Sequence, residues 1–420
     1  MTEHLTIARM GHRGDGVVDG VVDGGVAAAA AAVFVPYTLP GETVTVEAVP
    51  GHPDRRRLLR VDKASHERIP PICKHFGVCG GCAMQHWSHA EYLLWKRGLV
   101  AEALALAGIV CPVDPIVDAH GKGRRRAVLH ARRGNGDLLE VGFTAPRAHH
   151  IVAIDECPIL SDSLAGTIPV SWAIAEVLKP TNKPLDIHVT ASDRGLDVDV
   201  RGSGPLSTGR LTDLAKLADK FGLARITRHG ELVLQRVEPT LKIGRATVPL
   251  PPGAFLQATA EGEAALAALV IKHIGKAKRV ADLFSGIGTF ALRVGETARV
   301  LAADSEAGAI KALERGIKSA PGLKPVEART RDLFRNPMVA MEFKGFDAVV
   351  FDPPRQGAER QAQEIASSKV PLVIAVSCDA TTFARDARIL MAGGYKLTGV
   401  TPVDQFRYSH HVEVVGRFER

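Results

Sequence analysis

The final third of the chain constrains its fold more than any other part. Five short apolar runs, Arg279–Leu283, Val300–Asp304, Val326–Arg329, Phe346–Phe351 and Leu372–Ser377, alternate with helical stretches at 289–296, 306–319, 358–367 and 381–391. Apolar strands that each lead into a helix imply a parallel sheet covered by helices on both faces. Two more β-like runs, Lys396–Val403 and His411–Phe418, predict an antiparallel pair at the sheet edge. The expected class is α/β, with a Rossmann-like C-terminal domain.

A chain of 420 residues is too long for one ordinary core. Residues 1–62 read as a small β-barrel. Their β-rich runs (Val17–Val22, Ala32–Val35, Thr43–Ala48, Arg57–Asp62) are separated by turns such as Leu39-Pro-Gly-Glu42. The Val-Val-Asp-Gly doublet at 17–24 is too short to be a repeat architecture, and the alanine-rich stretch after it reads as strand and turn. Ile69-Pro-Pro71 reads as a linker. Glu91–Ala107 is expected to be an amphipathic helix with Tyr92, Trp95, Leu99, Ala103 and Leu106 on one stripe, stopped by Gly108. From 124 to 250 the pattern is mixed α+β, and Val128–Arg132 and Leu139–Phe143 flank a Gly134-Asn-Gly136 hairpin signal. The resulting division is a barrel at 1–62, a central α+β domain at 63–255 and the α/β domain at 256–420.

The composition, 46% hydrophobic and 24% charged, is that of a soluble globular protein. No segment reaches the roughly 18 apolar residues of a membrane span. The opening MTEHLTIARM lacks a signal-peptide pattern. The expectation is a cytoplasmic, monomeric protein. A net charge of +7 and a pI near 9.1 favour a polyanionic partner such as RNA. Two basic clusters, Asp54–Arg60 and Lys122–Arg126, with Arg132 and Arg133 nearby, would suit one, although each alone reads equally as a solvated face.

Asp282-Leu-Phe-Ser-Gly-Ile-Gly-Thr-Phe290 follows a strand and opens a helix, where Gly286 and Gly288 allow the backbone to approach a ligand. Asp304 ends the next strand, where its carboxylate could accept both ribose hydroxyls. On this segment alone NAD and S-adenosylmethionine remain equal candidates. Phe351-Asp-Pro-Pro-Arg-Gln-Gly357 favours the second. It places an acidic residue and a rigid turn at the carboxyl edge of the sheet, and a dehydrogenase has no need of that element.

Cys378, in Val376-Ser-Cys-Asp379, closes the following strand at the same edge. A lone strand cysteine is usually inert packing. Between the Pro-Pro turn and a helix start, it reads instead as a nucleophile whose pKa should lie below the free-thiol value of about 8.5. Carbon 5 of uracil needs such a thiolate, because it becomes nucleophilic only after addition at carbon 6. Four further cysteines, Cys73, Cys79, Cys82 and Cys157, make a thiol set that fits zinc or an iron–sulfur cluster, and Cys111 has no evident partner.

Taken together these segments resemble the RNA uracil-5-methyltransferase family, the bacterial ribosomal RNA branch in particular. Gly14-Asp-Gly16, Val33-Phe-Val-Pro36 and Leu39-Pro-Gly-Glu42 resemble its TRAM RNA-binding barrel, an OB-like fold. Gly253-Ala-Phe-Leu-Gln257, Asp282–Phe290, Asp352-Pro-Pro-Arg355, Ser377-Cys378 with Ala384-Arg-Asp386, and His411-Val-Glu413 follow in the family's order. The resemblance implies a class I methyltransferase domain at 256–420 and donor contacts from Gln257, Phe284, Thr289, Asp304, Asp332 and Asp352. It also implies Cys378 as nucleophile, Glu413 as general base, and a [4Fe-4S] cluster on Cys73, Cys79, Cys82 and Cys157. The expected function is methylation of uracil C5 in RNA, with 23S ribosomal RNA ahead of transfer RNA.

Two departures stand out. Asp379-Ala380 replaces the family's usual Asn-Pro, and Phe406-Arg407 replaces Phe-Pro. Asp379 should oppose thiolate formation. The competing readings are an NAD-linked oxidoreductase carrying a cluster, a non-catalytic RNA-binding protein, and a cytosine methyltransferase. The last usually carries a Pro-Cys turn, which this chain lacks.

Overall fold

The computed structural model describes residues 2–19, 32–180 and 183–420. Most of the Val-Val-Asp-Gly doublet and the alanine run lie outside them, and the strand expected at Val17–Val22 is described as Asp15–Val18. Two compact units emerge. One comprises Met1–Leu99, Thr144–His150 and Phe406–His411, and the other Val100–Phe143, Ile151–Gln405 and Val412–Arg420. Among the described residues no helix is long and apolar enough to cross a membrane.

The first unit carries a six-stranded sheet in the order Thr2–Thr6, Thr43–Val49, His52–Lys63, Val33–Pro36, Asp15–Val18, Arg9–Met10. Its two terminal strands are separated only by Ile7 and Ala8, whose amides donate to Glu42 and Val17 respectively. Alternating residues Val44, Val46, Val35 and Val18 join Ile7 in a small core. Glu42 closes the Leu39-Pro-Gly turn: its buried carboxylate accepts from Leu39 N at 2.8 Å and Arg68 Nε at 2.6 Å.

The helix spans His89–Leu106, and the stripe expected along it is corrected. Tyr92, Lys96, Val100 and Leu104 are its buried face, whereas Leu106 is 84% exposed. Lys96 belongs to the buried face because its stem lies along that line and its ammonium donates to Phe406 O at 3.3 Å. The stop at Gly108 is observed at φ 72°.

The second unit contains an eight-stranded sheet in the order Val326–Thr330, Arg299–Asp304, Arg279–Leu283, Ala348–Phe351, Leu372–Ser377, Glu413–Glu419, Lys396–Asp404, Val117–Asp118. The first five strands run parallel to their neighbours, and Glu413–Glu419 enters antiparallel between Leu372–Ser377 and Lys396–Asp404. The antiparallel pair is therefore as expected but does not form the edge, because Val117–Asp118 pairs beyond it. Successive residues feed two cores: Val280, Ala302, Val350 and Ile374 on one face, Ala281, Leu301, Val349 and Val373 on the other. That division explains the nearly unbroken apolar runs. The helix expected at 289–296 shortens to Ala291–Val294.

A separate seven-stranded sheet (Arg126–Arg133 to Glu231–Gln235) covers the helices Thr167–Leu178 and Thr208–Lys220. Its expected hairpin is present, with Arg133 facing Leu139. The connection holds five residues and a 3-10 turn rather than a two-residue Asn-Gly turn, and Gly134 N donates to Leu138 O.

Candidate active site

The carboxyl edge of the eight-stranded sheet gathers most of the residues singled out from sequence. Leu283 ends its strand and Phe284 adopts a left-handed φ of 63°, a cost that bulky residues bear mainly at functional turns. The Phe284 ring packs on Phe334 at 5.3 Å. Gly286 also has positive φ (54°), and a Cβ there would meet nothing within 4 Å, so the loop faces open space. Asp304 clasps this loop from the next strand end: Oδ2 accepts from Gly286 N at 2.8 Å and Oδ1 from Glu306 N at 2.9 Å. Thr289 is half-buried at the end of the loop. Asp332, after Val326–Thr330, caps a turn by accepting from Phe334 N and Arg335 N.

The Asp352-Pro-Pro-Arg turn follows Ala348–Phe351. Asp352 N donates to Leu283 O at 3.2 Å, and Gly357 N closes the turn on Pro354 O at 2.8 Å. The turn is fastened to the helix Ala380–Ala392 through Ala358 N, which donates to Asp386 Oδ2, and through the Thr382 hydroxyl, which donates to Arg355 O. Gly357 has φ 73°, and a Cβ there would lie within 2.8 Å of the Asp386 carboxylate.

A buried chain of amides then runs across the edge. Gln257 Nε2 donates to Asp352 Oδ2 at 3.1 Å. Gln405 Nε2 donates to Gln257 Oε1 at 2.6 Å and to Glu413 Oε1 at 2.9 Å. Gln405 Oε1 accepts from Ala258 N at 2.8 Å. Gln257, Gln405 and Glu413 are all buried. Arg125 holds the Gln257 backbone, donating to its carbonyl at 3.0 Å, and pairs with the buried Glu263, which also accepts from Arg293 at 2.7 Å. Loss of water pushes the Asp352 carboxyl up to about 7, against the Gln257 hydrogen bond. Burial holds Asp282, behind the loop, well above the ordinary carboxyl range.

Cys378 lies between the strand Leu372–Ser377 and the helix Ala380–Ala392. The depressed thiol pKa expected from sequence is corrected here. Burial, then the charges of Glu413 and Asp352, push the thiol up to about 12; Asp379 adds to them and Arg355 opposes. The helix start does not help the sulfur because Asp379 already occupies it, accepting from Thr381 N at 3.0 Å and Thr382 N at 3.1 Å. Arg355 Nε approaches Asp379 Oδ2 at 3.6 Å.

Gln405 and Glu263 were not singled out from sequence, and Arg125 was read only as part of the basic cluster Lys122–Arg126, whereas it is buried. Gln405 follows a strand whose later residues are buried without alternation, so no period marks it, and a glutamine beside a motif carries no signal of its own.

In the first unit, the segment Phe406–His411 is held by Tyr408 N donating to Tyr92 Oη at 2.9 Å, Lys96 Nζ to Phe406 O at 3.3 Å, and Ala83 N to Tyr408 O at 2.8 Å. The neighbouring loop carries Cys73, Cys79 and Cys82; Gly81 N lies 3.4 Å from Cys79 Sγ, and burial, with the charge of Cys73, raises the Cys79 thiol. None of these cysteines, nor Cys157, is disulfide-bonded. Among the described residues no group of three or more His, Cys, Asp or Glu side chains is arranged to hold a metal ion.

A glycine loop, an acidic strand end and a reversed last strand pair on a parallel sheet are the features of an α/β methyltransferase. The family model for tRNA (uracil-5-)-methyltransferase matches residues 250–418. An RNA methyltransferase of Rhizobium meliloti is 45% identical over 425 residues, covering all of both chains. The 23S rRNA (uracil(1939)-C(5))-methyltransferase of Pseudomonas fluorescens is 33% identical over 99% of this chain and 94% of its own length. The crystal structure of a Pyrococcus abyssi tRNA (uracil-54, C5)-methyltransferase with S-adenosyl-L-homocysteine shares the fold, with TM-score 0.75 over 99% of both chains at 22% identity. The chain belongs to the RNA uracil-5-methyltransferase family.

Proposed function

We propose that this protein transfers the methyl group of S-adenosylmethionine to carbon 5 of a uracil in RNA, with Cys378 as nucleophile and Glu413 as base. The observation that carries the reading is the convergence of three residues at one sheet edge: Asp352 follows the strand Ala348–Phe351, Cys378 follows Leu372–Ser377, and Glu413 precedes Val414, the register partner of Ser377. The donor's place is supported by the open space in front of Gly286 and by Asp304 beneath it. Gln257, Phe284, Thr289, Asp304, Asp332 and Asp352 would hold the donor. When bound, it supplies an electrophilic methyl on a positively charged sulfur.

Cys378 gives up its proton to solvent and forms a bond from Sγ to carbon 6, while the carbon 5–carbon 6 π pair moves toward the C4 carbonyl as an enolate. Carbon 5 then takes the methyl, and the pair from the broken carbon–sulfur bond stays on the donor's sulfur. Glu413 removes the carbon 5 proton; that pair restores the ring double bond and expels the Cys378 thiolate. The net change is one methyl gained and one proton released.

Ribosomal RNA is the proposed substrate, supported by the 33%-identical relative named for 23S rRNA. The transfer RNA alternative is favoured by the description of the matched family model. The N-terminal sheet, whose end strands are successive parts of one segment, is proposed to be a closed TRAM barrel that binds RNA. The division at 1–62, 63–255 and 256–420 is retained with it. Cys73, Cys79, Cys82 and Cys157 are proposed to ligate a [4Fe-4S] cluster. The fit is one of donor chemistry, four thiols with an amide on Cys79 Sγ, and no step of the reaction passes through it.

The test is to map 5-methyluridine in ribosomal and transfer RNA from a strain lacking the gene, then restore it in vitro with purified protein and S-adenosylmethionine. A uridine that loses and regains its methyl supports the reading; unchanged RNA refutes it.

A further inference from the structure

Gln405 joins the Gln257 and Glu413 side chains and accepts from the backbone before the helix Ala260–Ile274, and neither sequence motifs nor the proposed chemistry assigns it a task. Its side chain is fully buried. Its amide orientation is dictated from one side, because Ala258 N, a donor, points at Oε1 from 2.8 Å and Thr259 N from 3.5 Å. Nε2 must therefore face the other way, and its two hydrogens go to Gln257 Oε1 and Glu413 Oε1. That fixes the next amide: with Oε1 accepting, Gln257 must present Nε2 to Asp352. A polarised chain results in which each link permits one arrangement only.

We infer that Gln405 is a positioning residue that holds Glu413 for removal of the carbon 5 proton and orients Gln257 against Asp352 through the same amide. The inference rests on the reading of Glu413 as base. By donating to Oε1, Gln405 stabilises the carboxylate form of Glu413 and fixes its orientation. The proton moves from carbon 5 to the Glu413 carboxylate, the carbon–hydrogen pair becomes the ring double bond, and the sulfur leaves with its own pair. One buried amide thus ties the donor-side contact to the last chemical step.

The inference locates the defect of a Gln405 variant after methyl transfer. Total RNA from the gene-deletion strain is incubated with tritiated-methyl S-adenosylmethionine, then denatured and resolved as protein. With wild type, little label remains on the protein, because elimination is fast. With Gln405→Leu, turnover falls roughly tenfold to a hundredfold, and label accumulates on the protein through Cys378, as it does with Glu413→Gln. Wild-type turnover, or slow turnover without protein-bound label, overturns the inference.

Gln405→Glu, which keeps the shape, gives a second readout should the leucine variant fold poorly. A carboxylate against Glu413 makes the base harder to keep charged, so the acidic limb of the kcat profile moves to higher pH by about one unit. An unmoved limb overturns the inference. Failure of the underlying reading is distinguishable: Glu413→Gln would then turn over like wild type, or stall without protein-bound label, whatever the Gln405 variants do.

Discussion

Gln257 and Gln405, 148 residues apart in sequence, meet side chain to side chain at 2.6 Å. Their contact joins the segment before the helix Ala260–Ile274 to the end of the strand Lys396–Asp404, and brings the carboxylates of Asp352 and Glu413 under one hydrogen-bond pattern. The site is thus assembled from residues that are far apart in the chain, and its electrostatics follow from that assembly.

The raised thiol makes the first prediction. Neutral thiol is the resting form of Cys378, so its alkylation by iodoacetamide should be slow at pH 7 and climb steadily through pH 10, toward a midpoint near 12. A sulfonium donor brings positive charge among the carboxylates and should lower that midpoint. The neutral product S-adenosylhomocysteine should lower it less. Mass spectrometry of the Cys378 peptide reads both; a midpoint near that of an ordinary thiol without ligand would contradict the electrostatics.

Asp379 separates two roles that usually coincide. Asparagine caps a helix as well as aspartate does but carries no charge. Asp379→Asn should leave the thermal melt nearly unchanged and shift the Cys378 alkylation profile to lower pH by a few tenths of a unit to one unit. A drop in stability above about 1 kcal/mol would show that the pair with Arg355 matters more than the cap.

Glu263 sits between Arg125 and Arg293. Burial would raise its pKa, but the two guanidiniums together lower it below the ordinary 4.5. A depressed carboxyl stabilises the fold above its ordinary pKa, and that contribution disappears as the pH falls through the lowered value. Glu263→Gln leaves the buried Arg125 and the half-buried Arg293 facing a neutral amide and should cost about 2–4 kcal/mol by denaturant titration. It should also flatten the acid side of the stability profile.

Much of this architecture was legible in the sequence, for identifiable reasons. Strands buried on both faces announce themselves as apolar runs, so a parallel sheet could be read from Arg279 onward, though not the order of its strands. The acid at Asp352 and the thiol at Cys378 were visible because each ends such a strand. The buried place of Lys96 was not legible, since the carbonyl that its ammonium needs, Phe406 O, lies 310 residues away. Gln405 was invisible for the same reason: its meaning resides in partners brought together by folding. The thiol's pKa was misjudged because the sequence gives the helix start but not its occupant, Asp379.

Tyr92 offers a structural check within the first unit. Its hydroxyl accepts from Tyr408 N in the segment that connects Gln405 to Val412. Tyr92→Phe removes that acceptor and should cost about 1–2 kcal/mol. Because the chain runs directly from Gln405 through this segment to Glu413, kcat should fall while the affinity for S-adenosylhomocysteine stays within about twofold.

The central claim is that Cys378 bonds covalently to the ring, and 5-fluorouridine-containing RNA tests it most directly. Fluorine at carbon 5 cannot be removed as a proton, so methyl transfer should strand the RNA on the protein. Peptide mass spectrometry of the denatured complex should place a methylated fluorouridine on Cys378, with none in Cys378→Ala. Methylation of ordinary RNA by the Cys378→Ala protein, or an adduct on another residue, would contradict the account.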